Sequence, residues 1–144
     1  MSDKCIRITI KTEPVAKGRA KTAYVGGMVR TYTPQKTRDA QDFIMLRLKR
    51  HQDEMFEAHV PVKLTCTFYR TKSKYLPRHE TLPVRKPDTD NLLKLLLDSM
   101  NGVLVADDAQ ITNISTRKRW TDKEYGYITI KMCEDKLSEE NEDG

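Results

Sequence analysis

Residues 85–100 read Arg85-Lys-Pro-Asp-Thr-Asp-Asn-Leu-Leu-Lys-Leu-Leu-Leu-Asp-Ser-Met100, and this stretch says most about the fold. Apart from Lys94, Asp98 and Ser99, every residue from Leu92 to Met100 is apolar, which predicts a helix that is buried on most sides. Asn101-Gly102 is a pair that commonly ends a helix. The basic, proline-containing segment 70–87 precedes this helix and is predicted to be a long loop.

Strand-like sequence on both sides of this stretch predicts four strands. Ile6, Ile8 and Ile10 alternate with polar residues, which is typical of a half-buried strand, and residues 60–69 repeat the pattern. Two more strands are predicted over 111–120 and 125–132. The link between these last two, 121–124, is short, so they are expected to form an antiparallel hairpin.

A small hairpin and a second helix are predicted between the first two strands. Gly26 and Gly27 lie between β-type residues in 23–30 and supply the positive φ angles of a tight turn. Thr33 is the expected N-cap of a helix over 34–56, with Pro34 in its first turn. Four apolar residues form one stripe of that helix, with Phe43 beside it: Ala40, Ile44, Leu48 and Met55.

The predicted order is β, small hairpin, α, β, loop, α, β, β. It indicates an α/β domain of the α+β kind, with a mixed, mainly antiparallel four-stranded sheet. Two helices are expected on one face of that sheet, and the small N-terminal hairpin is expected to stand beside it.

Charge is distributed unevenly along the 144 residues, whose net charge is +5. The last twelve residues hold six acids and one lysine, so residues 1–132 carry a net +10. A body this basic favours a polyanionic partner. We therefore predict one domain over 1–132 and an acidic, disordered tail over 133–144. With no apolar stretch of membrane-spanning length and no signal-peptide core, a cytoplasmic location is expected.

The three cysteines, Cys5, Cys66 and Cys133, are far apart and odd in number. They form no Cys-x-x-Cys pair, so neither a zinc site nor a disulfide framework is expected. Each lies in or beside strand-like sequence, which favours buried free thiols.

Asp88 and Asp90 stand where the loop becomes the second helix. They have a local interpretation: Asp88 caps the helix, while Asp90 favours the helix dipole and pairs with Lys94 one turn on. Asp107 and Asp108 follow the same helix after a short return, which allows the chain to bring them back towards the first pair. Converging carboxylates repel one another unless a cation is present, and Mg²⁺ prefers such oxygen ligands. The rival interpretation of Asp107-Asp108 is an ordinary polar turn.

Lys94 lies one helical turn from Asp90, where a lysine can steady an attacking water or the charge of a phosphate. Asp98 lies one further turn along and is interpreted as a partner of Lys94 or a structural acid.

The segment Lys86-Pro-Asp-Thr-Asp-Asn-Leu-Leu-Lys94, with Leu97-Asp-Ser-Met-Asn-Gly-Val103 and Asp107-Asp-Ala-Gln110, resembles the RusA family of Holliday junction resolvases. The similarity runs from Arg85 to Trp120, and weaker similarity to phage-type members covers Lys17-Gly-Arg19 and Tyr32-Thr-Pro34.

The resemblance implies a crossover junction endodeoxyribonuclease of DNA recombination and repair. It implies a homodimer that cuts four-way DNA junctions by paired symmetric nicks with Mg²⁺ or Mn²⁺. Carried over by position, the catalytic and metal-binding acids are Asp88, Asp90 and Asp108, and the catalytic lysine is Lys94. Asp107 and Asn91 also match the motif, with roles that the resemblance does not assign.

Two basic groups flank the acidic segment and are candidates for contacts with DNA phosphates. The predicted DNA-binding residues are Lys17, Arg19, Lys21, Arg30, Lys72, Lys74, Arg85 and Lys86. Solvated surface is the alternative for either group. Tyr24, Tyr32 and Tyr75 could stack on unpaired bases, although packing is favoured for the first two.

Three functions remain open on the sequence. The first is a structure-selective endonuclease. The second is a branched-DNA-binding accessory protein that does not cleave. The third is a metal-dependent enzyme that acts on RNA or a nucleotide.

Overall fold

The computed structural model describes residues 4–18 and 21–137. Six strands and two helices follow one another in the order β1, β2, β3, α1, β4, α2, β5, β6. Their bounds are β1 Cys5–Ile10, β2 Lys21–Val25, β3 Met28–Tyr32, α1 Gln35–Lys49, β4 Val62–Thr71, α2 Thr89–Met100, β5 Ile111–Thr121 and β6 Tyr127–Glu134. The predicted α+β class is confirmed.

A four-stranded mixed sheet forms the centre of the molecule, with its strands in the order β1-β6-β4-β5. β6 is antiparallel to both β1 and β4, whereas β4 and β5 run parallel. The core lies on one face of the sheet, because Ile6, Ile8 and Ile10 of β1 are buried while the residues between them are exposed. Buried residues of α1 and α2 complete the same core.

The predicted hairpin of β5 and β6 is wrong, because β4 lies between these two strands. The pairs Cys66–Ile130 and Cys66–Thr116 place β4 residues opposite both neighbours. A short link shows that two strands end near each other. It does not show whether a third strand fills the gap between them.

The hairpin around Gly26 and Gly27 is confirmed as β2 and β3, and both glycines have the positive φ angles expected, 61° and 79°. Almost all of its side chains are exposed.

The first helix is shorter than predicted. Pro34 is its N-cap, and Thr33 lies outside it. α1 ends at Lys49, and the separate 3-10 turn Gln52–Glu54 follows. Ile44 and Leu48 of the predicted stripe are buried.

Two of the three cysteines differ from the prediction, because Cys5 and Cys133 are joined by a disulfide. They face each other across the antiparallel pair β1 and β6. Cys66 is a buried free thiol as predicted, and burial raises its pKa. The wide spacing of cysteines in the chain carried no information on strand register, which brings Cys5 and Cys133 together.

The first residues of the predicted acidic tail belong to the sheet. β6 continues to Glu134, and the Asp135 carboxylate accepts a hydrogen bond from the Thr112 hydroxyl at 2.7 Å. The rest of the predicted tail, 138–144, lies outside the described residues, so its disorder stays a prediction. No helix in the described part of the chain is long and apolar enough to span a membrane.

Candidate metal centre and DNA-binding surface

Asp88 stands at the N-terminus of α2, as its N-cap residue, but its side chain does not cap the helix. Its backbone carbonyl accepts the first helical hydrogen bond, from Leu92 at 3.1 Å. The carboxylate instead forms an ion pair with the Lys86 ammonium, at 2.7 Å. The local interpretation of Asp88 as a side-chain cap is therefore not what the structure shows, and the carboxylate charge is paired with an ammonium group outside the helix.

The segment that delivers Asp88 is held by two cationic residues of neighbouring parallel strands. Lys118 of β5 donates from Nζ to the carbonyl oxygens of Arg85 at 2.8 Å and Pro87 at 2.9 Å. Arg70 of β4 donates to the carbonyl oxygen of Lys86 at 3.1 Å. We call Arg70 and Lys118 the clamp. Three successive carbonyls are bound, so the backbone before Asp88 is fixed.

The clamp has an electrostatic cost. Burial lowers the pKa of Lys118, the Arg70 guanidinium adds to that effect, and the Asp88 carboxylate opposes it. The three backbone carbonyl groups partly offset the loss of hydration, because each presents a partial negative charge to the Lys118 ammonium or the Arg70 guanidinium.

Asp90 and Lys94 lie on the exposed side of α2, one turn apart. Within residues 4–18 and 21–137, neither is in an ion pair, so the local pairing considered for Asp90 and Lys94 is absent there. The opposite side of α2 is fully buried by Leu92, Leu95, Leu96 and Met100. This burial fixes which way Asp90 and Lys94 face.

The chain returns from the end of α2 through a buried turn, Val103 to Val105. Gln110 then anchors the acidic pair from both ends of its amide. Its Nε2 donates to the carbonyls of Glu57 and Val60, and its Oε1 accepts from the backbone N–H groups of Ala106 and Asp107. A fully satisfied buried amide of this kind specifies one position for the loop.

Asp107 and Asp108 differ in what their carboxylates do. Asp107 is the N-cap of the short 3-10 helix Asp108–Gln110, and it accepts a hydrogen bond from the Ala109 N–H at 3.0 Å. Asp108 receives no such capping role, and its backbone N–H donates to Asn101 Oδ1 at 3.2 Å.

The pKa values of the pair move apart. The Ala109 N–H lowers the pKa of Asp107. The hydrogen bond between the two carboxyl groups raises the pKa of Asp108, and burial and the charges of Asp107 and Asp98 add to it. Asp108 thus lies in a field of negative charge that a cation would relieve.

Asp98 is paired with Lys17, at 2.5 Å, and not with Lys94 as one interpretation had it. The Lys17 backbone N–H also donates to the carbonyl of Asn91, at 3.1 Å. Lys17 therefore ties the segment after β1 to α2. The contact of Lys17 with DNA stays a prediction. Asn91 takes part in the contact with Lys17 through its backbone carbonyl and not through its side chain.

No group of three His, Cys, Asp or Glu side chains in the part of the chain that the structure describes is close enough to hold a metal ion. Asp88, Asp90 and Asp108 therefore do not meet as a ready-made three-carboxylate site. Their chemistry fits a divalent cation nonetheless. Carboxylate oxygens are the ligands that Mg²⁺ prefers, and Mg²⁺ binds through only one or two of them together with water. The Asp88 carboxylate already binds one cation, the Lys86 ammonium.

The other predicted DNA-binding residues differ in their surroundings. Lys21 and Arg30 are exposed on β2 and β3. Lys72, Arg85 and Lys86 are exposed but paired with Asp122, Glu80 and Asp88. Lys74 lies 5.2 Å from the ring centre of Tyr75, and Arg19 lies outside the described residues.

The aromatic side chains differ from the interpretation in one respect. Tyr24 is 82% exposed and Tyr32 is 46% exposed, so the packing favoured for them is wrong. Tyr75 is also 82% exposed.

Arg70 and Lys118 are the site residues that sequence reasoning missed. The signal available was the run Arg117-Lys118-Arg119 within a predicted strand, where alternate residues face opposite sides of the sheet. The central lysine of such a run lies on the other side from its neighbours. Nothing in the chain, however, indicated that it would reach residues 85–87.

This small α+β domain with an acidic loop-to-helix junction has recognisable relatives. The model of the RusA endodeoxyribonuclease family matches residues 11–132. The chain belongs to the RusA family.

Two relatives illustrate the similarity. The uncharacterized protein YqaN of Bacillus subtilis (strain 168) is 26% identical over 137 residues, which cover 88% of this chain and 96% of YqaN. The crossover junction endodeoxyribonuclease rusA of Lactococcus phage r1t is 36% identical over 89 residues, which cover 60% of this chain and 65% of the phage protein.

Proposed function

We propose that this protein is a Mg²⁺-dependent, structure-selective endonuclease that resolves Holliday junctions by paired symmetric nicks. The observation that carries the proposal is the position of Asp88. It stands at a clamped loop-to-helix junction, two residues before Asp90, with a carboxylate that is not used to cap the helix. Membership of the RusA family and the printed activity of the phage relative support the choice of reaction.

Asp88, Asp90 and Asp108 would hold the metal ion, with Mn²⁺ as an alternative to Mg²⁺. The ion, when bound, lowers the pKa of an attacking water and neutralises charge on the cleaved phosphate. Asp107 supports this set by holding the loop, since its own carboxylate is used by the Ala109 N–H.

Lys94 is the cation proposed to act on the substrate. It lies on the exposed side of α2, one turn beyond Asp90, and is not in an ion pair in the described chain. An ammonium group there donates to a phosphate oxygen or orients the attacking water.

The basic residues around this centre are proposed to bind the DNA backbone. Lys21 and Arg30 would do so from the hairpin, and Lys72, Lys74 and Arg85 from the long loop. Such contacts give affinity and position without sequence readout. A homodimer is proposed because two strands of one junction must be cut at related positions, which two-fold symmetry provides. The protein would act in DNA recombination and repair.

The test compares a synthetic four-way junction, a linear duplex and a single strand, each with and without Mg²⁺. We expect Mg²⁺-dependent products from the junction in preference to the other two. Asp90→Asn should bind the junction and lose cutting, whereas the matched variant Asp53→Asn, in the turn after α1, should cut normally. Cutting by Asp90→Asn at the wild-type rate would overturn the site. Binding without cutting by the unchanged protein would identify an accessory protein instead.

A further inference from the structure

A cavity of about 840 Å³ lies beside the loop that delivers Asp88. It is bounded by the segment after β1, by the start of α1 and by the loop before α2. We call it the side groove. Its volume falls in the range of pockets that take small organic ligands. Pro87 lines the groove and directly precedes Asp88, so anything bound in the groove lies next to the proposed catalytic carboxylates.

The floor of the side groove is apolar, so its side chains cannot form hydrogen bonds with a ligand. It is formed by Pro14, Val15, Ala16, Pro34 and Pro87. Val15 and Ala16 are partly buried and pack against the hydrophobic core, which holds this part of the floor in place. Proline rings and small aliphatic groups offer a flat contact surface to the face of an aromatic ring.

The rim of the side groove is basic. Four cationic residues line it: Lys21, Lys36, Arg70 and Lys86. Two of these cations have partners, since Lys86 is paired with Asp88 and Arg70 donates to the Lys86 carbonyl. Lys21 and Lys36 are in no ion pair among the described residues. The acid at the rim, Glu13, is occupied by the Thr71 hydroxyl at 2.9 Å. A ligand that fits this groove therefore joins an apolar face to phosphate groups.

An unpaired nucleotide has that combination, and an intact duplex does not. Within a duplex the faces of the bases are covered by stacking, and only their edges and the phosphates are accessible. A base leaves the stack at the lowest cost where pairing or stacking is interrupted, and its face can then pack on protein. Resting on the proposed function, we propose that the side groove binds one unpaired nucleotide at the branch point. Its base lies on the apolar floor and its phosphates lie between the rim cations.

The experiment removes the base and keeps the phosphates. Binding of two four-way junctions is compared in EDTA, one unmodified and one with abasic residues at the point of strand exchange. The wild-type protein should bind the abasic junction at least about fivefold more weakly, because a stacked base is worth that much or more. Ala16→Phe, which fills the floor of the groove, should bind the two junctions equally. Comparing the ratio of the two affinities between the wild type and this variant removes any effect of the abasic residues on the shape of the DNA. Equal binding of both junctions by the wild type would overturn the proposal, as would an unchanged ratio in Ala16→Phe.

A second pair of variants does not depend on the fold of Ala16→Phe. Lys36→Ala removes a rim cation, and Lys63→Ala removes an exposed lysine of β4 that lies outside the groove. Lys36→Ala should weaken binding of the junction severalfold more than Lys63→Ala does. Equal effects would overturn the phosphate part. If light scattering shows that Ala16→Phe dissociates a dimer, the groove holds a second copy of the chain and the proposal is wrong.

Cleavage of the unmodified junction in Mg²⁺ is measured separately. Without cleavage, the proposed function fails, while a base-dependent affinity in EDTA still supports the side groove. With cleavage but no base-dependent affinity, the function stands and the groove proposal fails.

Discussion

Asp107 and Asp108 are neighbours in the chain, but their carboxylates make different interactions. Asp107 caps the 3-10 helix, whereas the hydrogen bond to Asp107, burial and the charges of Asp107 and Asp98 raise the pKa of Asp108. A single change at each position should therefore separate stability from catalysis. The capping role of Asp107 depends on the hydrogen bond that it accepts from the Ala109 N–H.

Asp107→Ala should lower the melting temperature by roughly 2–4 °C, because a lost N-cap leaves a helical N–H unsatisfied. Asp108→Asn should melt within about 1 °C of the wild type and should lose junction cleavage by a factor on the order of a hundred or more. Thermal unfolding and single-turnover cleavage measure the two effects. Normal cleavage by Asp108→Asn would remove it from the metal site.

At the scale of residues, the sequence predicts the candidate acids but not the side chains that pair with them. Asp88, Asp90, Lys94 and Asp108 are proposed as site residues because they lie within one motif, and their roles stay a prediction. The partner of Asp98 was not found, because Lys17 is far away in the chain and the helical rule of four considers local neighbours alone.

At the scale of elements, the clamp connects the sheet to the candidate site. β4 and β5 are parallel neighbours, and Arg70 and Lys118 reach the same loop from their adjacent ends. Alternation of apolar residues predicted β1 and β4, since one face of each is buried. The partners of β5 were not predictable, because pairing with β4 depends on contacts between strands that are distant in the chain.

Lys118→Met should release the loop before Asp88. Losing two hydrogen bonds from a charged donor should cost about 1–2 kcal/mol of the free energy of unfolding, given partial exposure. The concentration of Mg²⁺ that gives half-maximal cleavage should rise by roughly tenfold, as is typical when residues that support metal ligands are removed.

Urea unfolding and a Mg²⁺ titration of cleavage test this prediction, with Lys63→Met as the matched control on an exposed face of β4. Limited proteolysis gives a further measurement that does not depend on activity, since the loop at 72–87 should be cut faster in Lys118→Met. An unchanged Mg²⁺ requirement together with an unchanged rate of proteolysis would contradict a positioning role for Lys118.

On the scale of the whole molecule, one covalent bond joins the first and last strands of the sheet. The Cys5–Cys133 disulfide spans a sequence separation of 128 residues. Closing so long a loop restricts the unfolded chain strongly. The core beneath the sheet does not include this bond, because Cys5 is exposed.

Reduction should therefore lower the free energy of unfolding by about 2–5 kcal/mol and leave the native fold in place. Unfolding in urea with and without a reducing agent measures the difference. A thiol count on the denatured, unreduced protein should find one free thiol, that of Cys66. Three free thiols would show that the bond does not form in solution.

We propose above that this chain cuts two opposed strands of a four-way junction in one encounter. The most direct measurement uses a supercoiled plasmid that extrudes a cruciform, incubated with the protein and Mg²⁺. Paired nicks made before the complex dissociates convert the supercoiled plasmid directly to linear DNA, and this account predicts linear product from the start of the reaction. Nicked circles that accumulate first, or a plasmid that remains supercoiled, would contradict it.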